Sequence, residues 1–125
     1  TCCNTVYTPT EPYNPYLVPW TISLFENVPA DAMGLRSRWD QKGWADKPLW
    51  CIGGDGAMFD IGFPSVLRLL ASGMNIKVLV LDTQVYSNTG RQASTATYTG
   101  QYAKMSIPGK EFQGKQERRK ELAQI

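Results

Sequence analysis

The sequence predicts an α/β fold with a mostly parallel, doubly wound sheet, and three observations carry that prediction. Two short apolar runs, Leu49-Trp50-Cys51-Ile52 and Ile76-Lys77-Val78-Leu79-Val80-Leu81, read as buried strands of a parallel sheet. Between them, residues 61–72 place Ile61, Val66, Leu69 and Leu70 at near-helical spacing, with Gly73 where a C-cap would sit. Strand, helix and strand within about 35 residues make one βαβ unit with a right-handed crossover.

The other elements follow in chain order. Residues 1–19 are rich in Pro, Tyr, Thr and Asn, and Pro9, Pro12, Pro15 and Pro19 are too closely spaced for a helix or central strand. They predict an ordered loop at most. Residues 20–28 read as a short helix opened by Pro19, and residues 30–39 as a second helix after Pro29 carrying Met33 and Leu35. Residues 82–109 show neither helical nor alternating periodicity, and a loop of that length inside a compact domain is usually functional or disordered. Residues 114–125 return to helix formers. Their run Lys115-Gln116-Glu117-Arg118-Arg119-Lys120 mixes both signs and reads as a solvated helix face.

Size and composition bound the function. At 125 residues the chain is about one domain, and 42% apolar residues are enough for a core. Thirteen basic against eleven acidic residues leave a net charge of +2, far from the one-signed surface of a dedicated nucleic-acid binder. No run approaches the about 20 apolar residues that span a bilayer, and no signal peptide is evident, so the expected compartment is the cytoplasm. Cys2, Cys3 and Cys51 contain no C-x-x-C pair, which argues against a secreted disulfide framework and against a self-contained zinc site. Thr1 in place of an initiator Met, and an end inside a predicted helix, read as a domain over residues 1–125 that is incomplete at both ends.

The chemistry sits at the strand ends, where open α/β sheets bind ligands. The first strand runs into Gly53-Gly54-Asp55-Gly56, where glycines permit close approach of backbone N–H groups to phosphate and a lone Asp offers a hard oxygen to a cation. The second runs into Asp82, Thr83, Ser87, Asn88 and Thr89. By itself Gly-Gly-Asp-Gly is equally well a tight turn at a strand end. Asp55 and Thr83, however, are 28 residues apart, each just beyond a strand of the same βαβ unit, so parallel pairing would bring both to one rim of the sheet. One carboxylate, one hydroxyl and one backbone carbonyl, with two phosphate oxygens and a water, would satisfy octahedral Mg²⁺.

These motifs resemble a known family. Ile52-Gly53-Gly54-Asp55-Gly56, Asp60-Ile61-Gly62, Leu70-Ala71-Ser72-Gly73, Val80-Leu81-Asp82-Thr83 and Val85-Tyr86-Ser87-Asn88-Thr89-Gly90 look like the thiamine diphosphate-binding domain of the pyruvate:ferredoxin oxidoreductase family. Cys3-Asn4-Thr5-Val6-Tyr7 and Ser23-Leu24-Phe25-Glu26 match family segments in the same order. The resemblance implies that Asp55, Thr83 and the Val85 carbonyl bind Mg²⁺, that Gly54 and Gly56 approach the diphosphate, and that Phe25 packs near the thiazolium. Phe25 also reads as a helix-face core aromatic. Asn88 would reach both the diphosphate and the reaction centre, as an amide donor to the oxyanion formed from a 2-oxo acid. Cys3 would supply one thiolate of a 4Fe-4S cluster whose other ligands lie outside this chain. Cys51, in an apolar strand, reads as core.

The resemblance further implies oxidative decarboxylation of a 2-oxo acid such as pyruvate to an acyl-CoA, with electrons leaving through iron-sulfur clusters to ferredoxin or flavodoxin. The partners would be the 2-oxo acid, coenzyme A, other domains or subunits, and a second copy in a homodimer; the Glu that activates the aminopyrimidine comes from a different domain in this family. Two departures stand out. Arg91 replaces the family's second Gly after Asn-Thr-Gly, and residues 8–18 are shorter and richer in Pro and Tyr than the usual connection. A non-redox thiamine diphosphate decarboxylase or synthase, and a flavodoxin-like nucleotide-binding module, are the alternatives.

Overall fold

The computed structural model describes residues 12–106 and 114–125. The readings placed on Cys2, Cys3 and residues 4–7 lie outside the described residues. The architecture is mixed α/β: helix α1 (Val28–Gln41), strand β1 (Trp50–Gly54), a π-helical turn (Gly56–Asp60), helix α2 (Phe63–Ser72), strand β2 (Lys77–Leu81), and a small hairpin of β3 (Val85–Tyr86) and β4 (Gln92–Ala93). β1 and β2 pair in parallel, from Trp50 opposite Lys77 to Gly54 opposite Leu81. The predicted βαβ unit is therefore present, with both strands ending on the same rim.

The alternation of the strands gives the sheet two unlike faces. Cys51, Gly53, Val78 and Val80 share one face, and Cys51 belongs to a buried cluster with Ala32 of α1, Met58 and Phe59 of the π turn, and Val66 and Leu69 of α2. Gly53 is closely packed there: a Cβ would lie 2.6 Å from Met58 Cε, so the methionine would have to shift. On the other face, Trp50 and Leu79 are 58% and 40% exposed. The Cys51 thiol is free and buried, and burial pushes its pKa up to about 11, as befits a core residue.

Helix α1 opens without a side-chain cap, its first turn set instead by Pro29 and by the Asp31 N–H bond to the Asn27 carbonyl, 2.9 Å. Asp31 in the first turn and Arg38 in the last complement the helix dipole. Arg36 on α1 is fully buried. Its guanidinium donates to the Lys47 carbonyl (2.9 Å) and the Trp44 carbonyl (2.7 Å) and pairs with Asp40 at 2.7 Å, which ties the α1–β1 connection to the helix.

Three sequence expectations are corrected. Residues 20–24 form no helix, and only a turn at 25–27, with Asn27 N–H bonded to Leu24 O at 3.0 Å, precedes α1. Residues 19–23 instead border, with α1 and β1, a cleft of ≈ 110 Å³ beside Trp50 and Cys51, so packing along the strand overrides a weak helical propensity. The crossover helix starts at Phe63 rather than Ile61; of its expected apolar stripe Val66 and Leu69 are buried, whereas Ile61 and Leu70 are each 58% exposed. Its end is as expected: Gly73 adopts φ +65°.

The third correction concerns residues 114–125, which form only a short 3-10 turn, Leu122–Gln124, and not a solvated helix. Lys115 is 6% exposed, and its ammonium donates to the carbonyls of Thr95 (3.3 Å) and Thr97 (2.8 Å). The Lys115 and Lys120 N–H groups bond to the carbonyls of Gln101 (3.1 Å) and Thr95 (2.8 Å), so the loop takes the bonds a helix would have used. Arg119 donates to Ala96 O at 2.8 Å, pairs with Asp82, and stacks over Tyr98 at 4.5 Å. The bond to Asp82 raises the Arg119 pKa above its ordinary value.

Candidate functional site

Asp55 stands one residue beyond β1, at the helical conformation φ −54°, ψ −57° that starts the π turn. Placed there its side chain turns back across the strand ends. The carboxylate is 2% exposed; Oδ1 accepts the Thr83 N–H at 3.0 Å and Oδ2 accepts the Ser94 hydroxyl at 3.2 Å. The parallel register thus brings the two sequence-distant residues together, as their spacing predicted. Burial raises the Asp55 pKa, opposed by the Thr83 and Ser94 bonds and reinforced by the charges of Asp82 and Asp60.

Beyond β2 the chain folds into a compact oxygen cluster. Thr83 Oγ1 lies 3.0 Å from the Val85 carbonyl, and Ser87 Oγ lies 3.1 Å from Thr83 Oγ1 and 3.4 Å from Val85 O. Gln84 reverses the chain between them with φ +67°, a conformation costly for a residue with a side chain and held by the Thr97 hydroxyl on the Gln84 carbonyl. Mg²⁺–oxygen bonds of about 2.1 Å at right angles put neighbouring ligands about 3.0 Å apart. The Thr83 Oγ1 to Val85 O separation matches that edge. Among the described residues no group of three or more His, Cys, Asp or Glu could hold a metal alone, so a cation here would need phosphate oxygens or water to complete its shell.

Gly54, Gly56 and Phe25 lie close to this rim, and Asn88 lies in the hairpin turn that follows it. Gly54 is the last residue of β1, and Asn88 is exposed in the turn between β3 and β4. Gly56 is fitted to aromatic rings: a Cβ would lie 2.1 Å from Tyr86 and 2.6 Å from Phe25. Phe25 and Tyr86 stack at 6.4 Å between centroids, which sets Phe25 at the site in a turn and not on a helix face. Gly90 and Arg91 have φ of +124° and +64°. The second is a left-handed position that favours glycine, which explains why an arginine there departs from the expected pattern. Arg91 is exposed, its N–H bonded to Tyr86 O at 2.9 Å.

Several residues escaped the sequence reading. Asp60, at the end of the π turn, accepts the Tyr86 hydroxyl at 2.6 Å and bonds to both the hydroxyl and N–H of Thr95. Burial, then Asp60, drive the Tyr86 pKa far up, so the phenol stays protonated and donating. Ser94 and Thr97 bond to one another's turn and hold Asp55 and the Gln84 carbonyl. Tyr86 lies inside the Tyr-Ser-Asn-Thr-Gly block, but Ser94 and Thr97 carry no sequence signal beyond being polar.

A family model described as the thiamine pyrophosphate enzyme, C-terminal TPP binding domain, matches residues 1–117. The chain belongs to this family. Thiamine pyrophosphate is thiamine diphosphate, and the match sets aside the flavodoxin-like nucleotide module. Over all 125 residues the chain is 38% identical to pyruvate synthase subunit PorB of Pyrococcus horikoshii, of which it covers 38%. A stretch of 64 residues, 51% of the chain, is 56% identical to the pyruvate:ferredoxin oxidoreductase of Moorella thermoacetica, covering 6% of it. A stretch of 61 residues, 49% of the chain, is 56% identical to the mitochondrial pyruvate dehydrogenase (NADP+) of Euglena gracilis, covering 3% of it. The chain therefore spans 38% or less of the length of each of these relatives. No helix among the described residues is long and apolar enough to cross a membrane.

Proposed function

We propose that this chain carries the diphosphate- and Mg²⁺-binding half of the cofactor site in a pyruvate:ferredoxin-type oxidoreductase. The single observation that supports it is the rim geometry: a buried Asp55 bonded to Thr83 across paired strands, beside two oxygens at the spacing of an Mg²⁺ octahedron. On this reading Asp55, Thr83 Oγ1 and Val85 O are the protein ligands of Mg²⁺, whose remaining positions are filled by diphosphate and water. Gly54 and Gly56 bring bare backbone toward the diphosphate, and Phe25 flanks the thiazolium. Asn88 donates its amide to the oxyanion that develops on a 2-oxo acid.

Bound there, thiamine diphosphate supplies the electron sink for decarboxylation. The whole enzyme would turn pyruvate and coenzyme A into an acyl-CoA and pass the electrons one at a time through 4Fe-4S clusters, one of them ligated by Cys3. The names of the relatives span ferredoxin, flavodoxin and NADP+, which fits an acceptor chosen by parts of the protein outside these 125 residues. Other domains or subunits, and a second copy, would complete the site. A non-redox decarboxylase would share the Mg²⁺ rim; iron content and the electron paramagnetic resonance signal of the reduced protein separate the two.

Asp55→Ala in the full-length protein should abolish Mg²⁺-dependent binding of thiamine diphosphate, measured by calorimetry. Retained affinity and metal dependence would remove the site assignment. Reduction of ferredoxin by the wild-type protein with pyruvate, 2-oxobutyrate and 2-oxoglutarate in turn identifies the substrate.

A further inference from the structure

Asp60 and Tyr86 lie 26 residues apart and are joined by a 2.6 Å hydrogen bond that links the turn after β1 to the loop after β2. Each belongs to one half of the rim. Asp60 closes the π turn, whose wide hydrogen bond from Ile61 N–H to Gly56 O at 2.9 Å inserts one residue relative to an α-helical turn. Such insertions re-aim the side chain that follows and recur at functional sites. Here the same carboxylate also takes both donors of Thr95, in the segment that carries Ser94, the partner of Asp55. Tyr86 in turn follows Val85 directly and precedes Ser87, whose hydroxyl contacts both Thr83 Oγ1 and Val85 O.

We propose that the Asp60–Tyr86 pair is a positioning latch for the cation-binding loop, holding the Val85 carbonyl and Thr83 hydroxyl at the spacing the metal requires. The inference rests on the function proposed above. Ring packing alone could set the position of Tyr86, because its ring already abuts Gly56 and Phe25. Packing fixes the plane of the ring but leaves rotation and sliding within it; the hydroxyl bond to a carboxylate itself held by Thr95 removes that freedom. Orienting partners of metal ligands typically contribute about 10–100-fold in metal affinity.

Tyr86→Phe keeps the ring and deletes only the hydroxyl, and Asp60→Asn keeps the shape and deletes the charge. The full-length protein with thiamine diphosphate is titrated with Mn²⁺ by electron paramagnetic resonance, alongside wild type and Asp55→Asn. Tyr86→Phe and Asp60→Asn should each raise the Mn²⁺ dissociation constant about tenfold, and the double variant should be no weaker than the worse single one. Unchanged Mn²⁺ affinity in Tyr86→Phe, with affinity lost in Asp55→Asn, overturns the latch alone; so does a double variant whose losses multiply. Unchanged affinity in Asp55→Asn overturns the site reading instead. Should Asp60→Asn not fold, Tyr86→Phe decides the matter by itself.

Discussion

At the scale of single residues, the site is held at some cost to the fold. Asp55 is buried with two neutral donors and two nearby carboxylates, so its pKa is raised in the folded chain. A raised folded pKa means that the associated stability is fully present below the unfolded value of 3.8 and is lost as pH climbs through the folded value. Without metal, Asp55→Asn should therefore melt at or above wild type at pH 7, and the difference should shrink as pH falls toward 3.8. Differential scanning calorimetry across that range checks it; added Mg²⁺ and cofactor should stabilise wild type alone. Arg91 presents a second local cost. Replacing this left-handed residue, Arg91→Gly, should strengthen the turn by about 0.5–1 kcal/mol, read as slower exchange of the residue 91 amide that bonds to Tyr86 O.

At the scale of elements, two devices aim the site. The π turn lets Asp55 and Asp60 both face the rim from a segment too short for two helical turns, and no helical period in the sequence reports it, because Gly56 is shaped by contact with Phe25 and Tyr86. Helix α1 is anchored by a buried guanidinium and not by a broad apolar stripe. Arg36→Met fills similar space but leaves the Trp44 and Lys47 carbonyls without their donor, at a cost of about 1–3 kcal/mol. The expected outcome is a lower denaturant midpoint with an early change in the fluorescence of Trp39 and Trp44, whose rings meet edge to face at 6.4 Å.

At the scale of the whole molecule, residues 114–121 strap the post-β4 turn onto the π turn: Lys115 holds Thr95 and Thr97, Lys120 holds Phe59 O and Arg119 bridges Asp82 to Ala96. Burial lowers the Lys115 pKa below 10.5. A depressed folded pKa gives stability that is present above the unfolded value and lost as pH falls through the folded one. Wild-type stability should therefore rise through the alkaline range below 10.5, and Lys115→Met should lose that rise, as urea unfolding at several pH values would show.

The sequence by itself determined the βαβ unit, the meeting of Asp55 with Thr83, and the identity of the motif block around Asn88. Each depends on local apolar runs and on a register that parallel pairing fixes. Only the tertiary structure decided that residues 20–24 form no helix, that the basic segment is a strap anchored by a buried Lys115, and that Asp60, Tyr86, Ser94 and Thr97 frame the rim. The reason is physical: the strap and the rim are set by hydrogen bonds between residues as far as 61 positions apart, which no periodicity of the chain encodes.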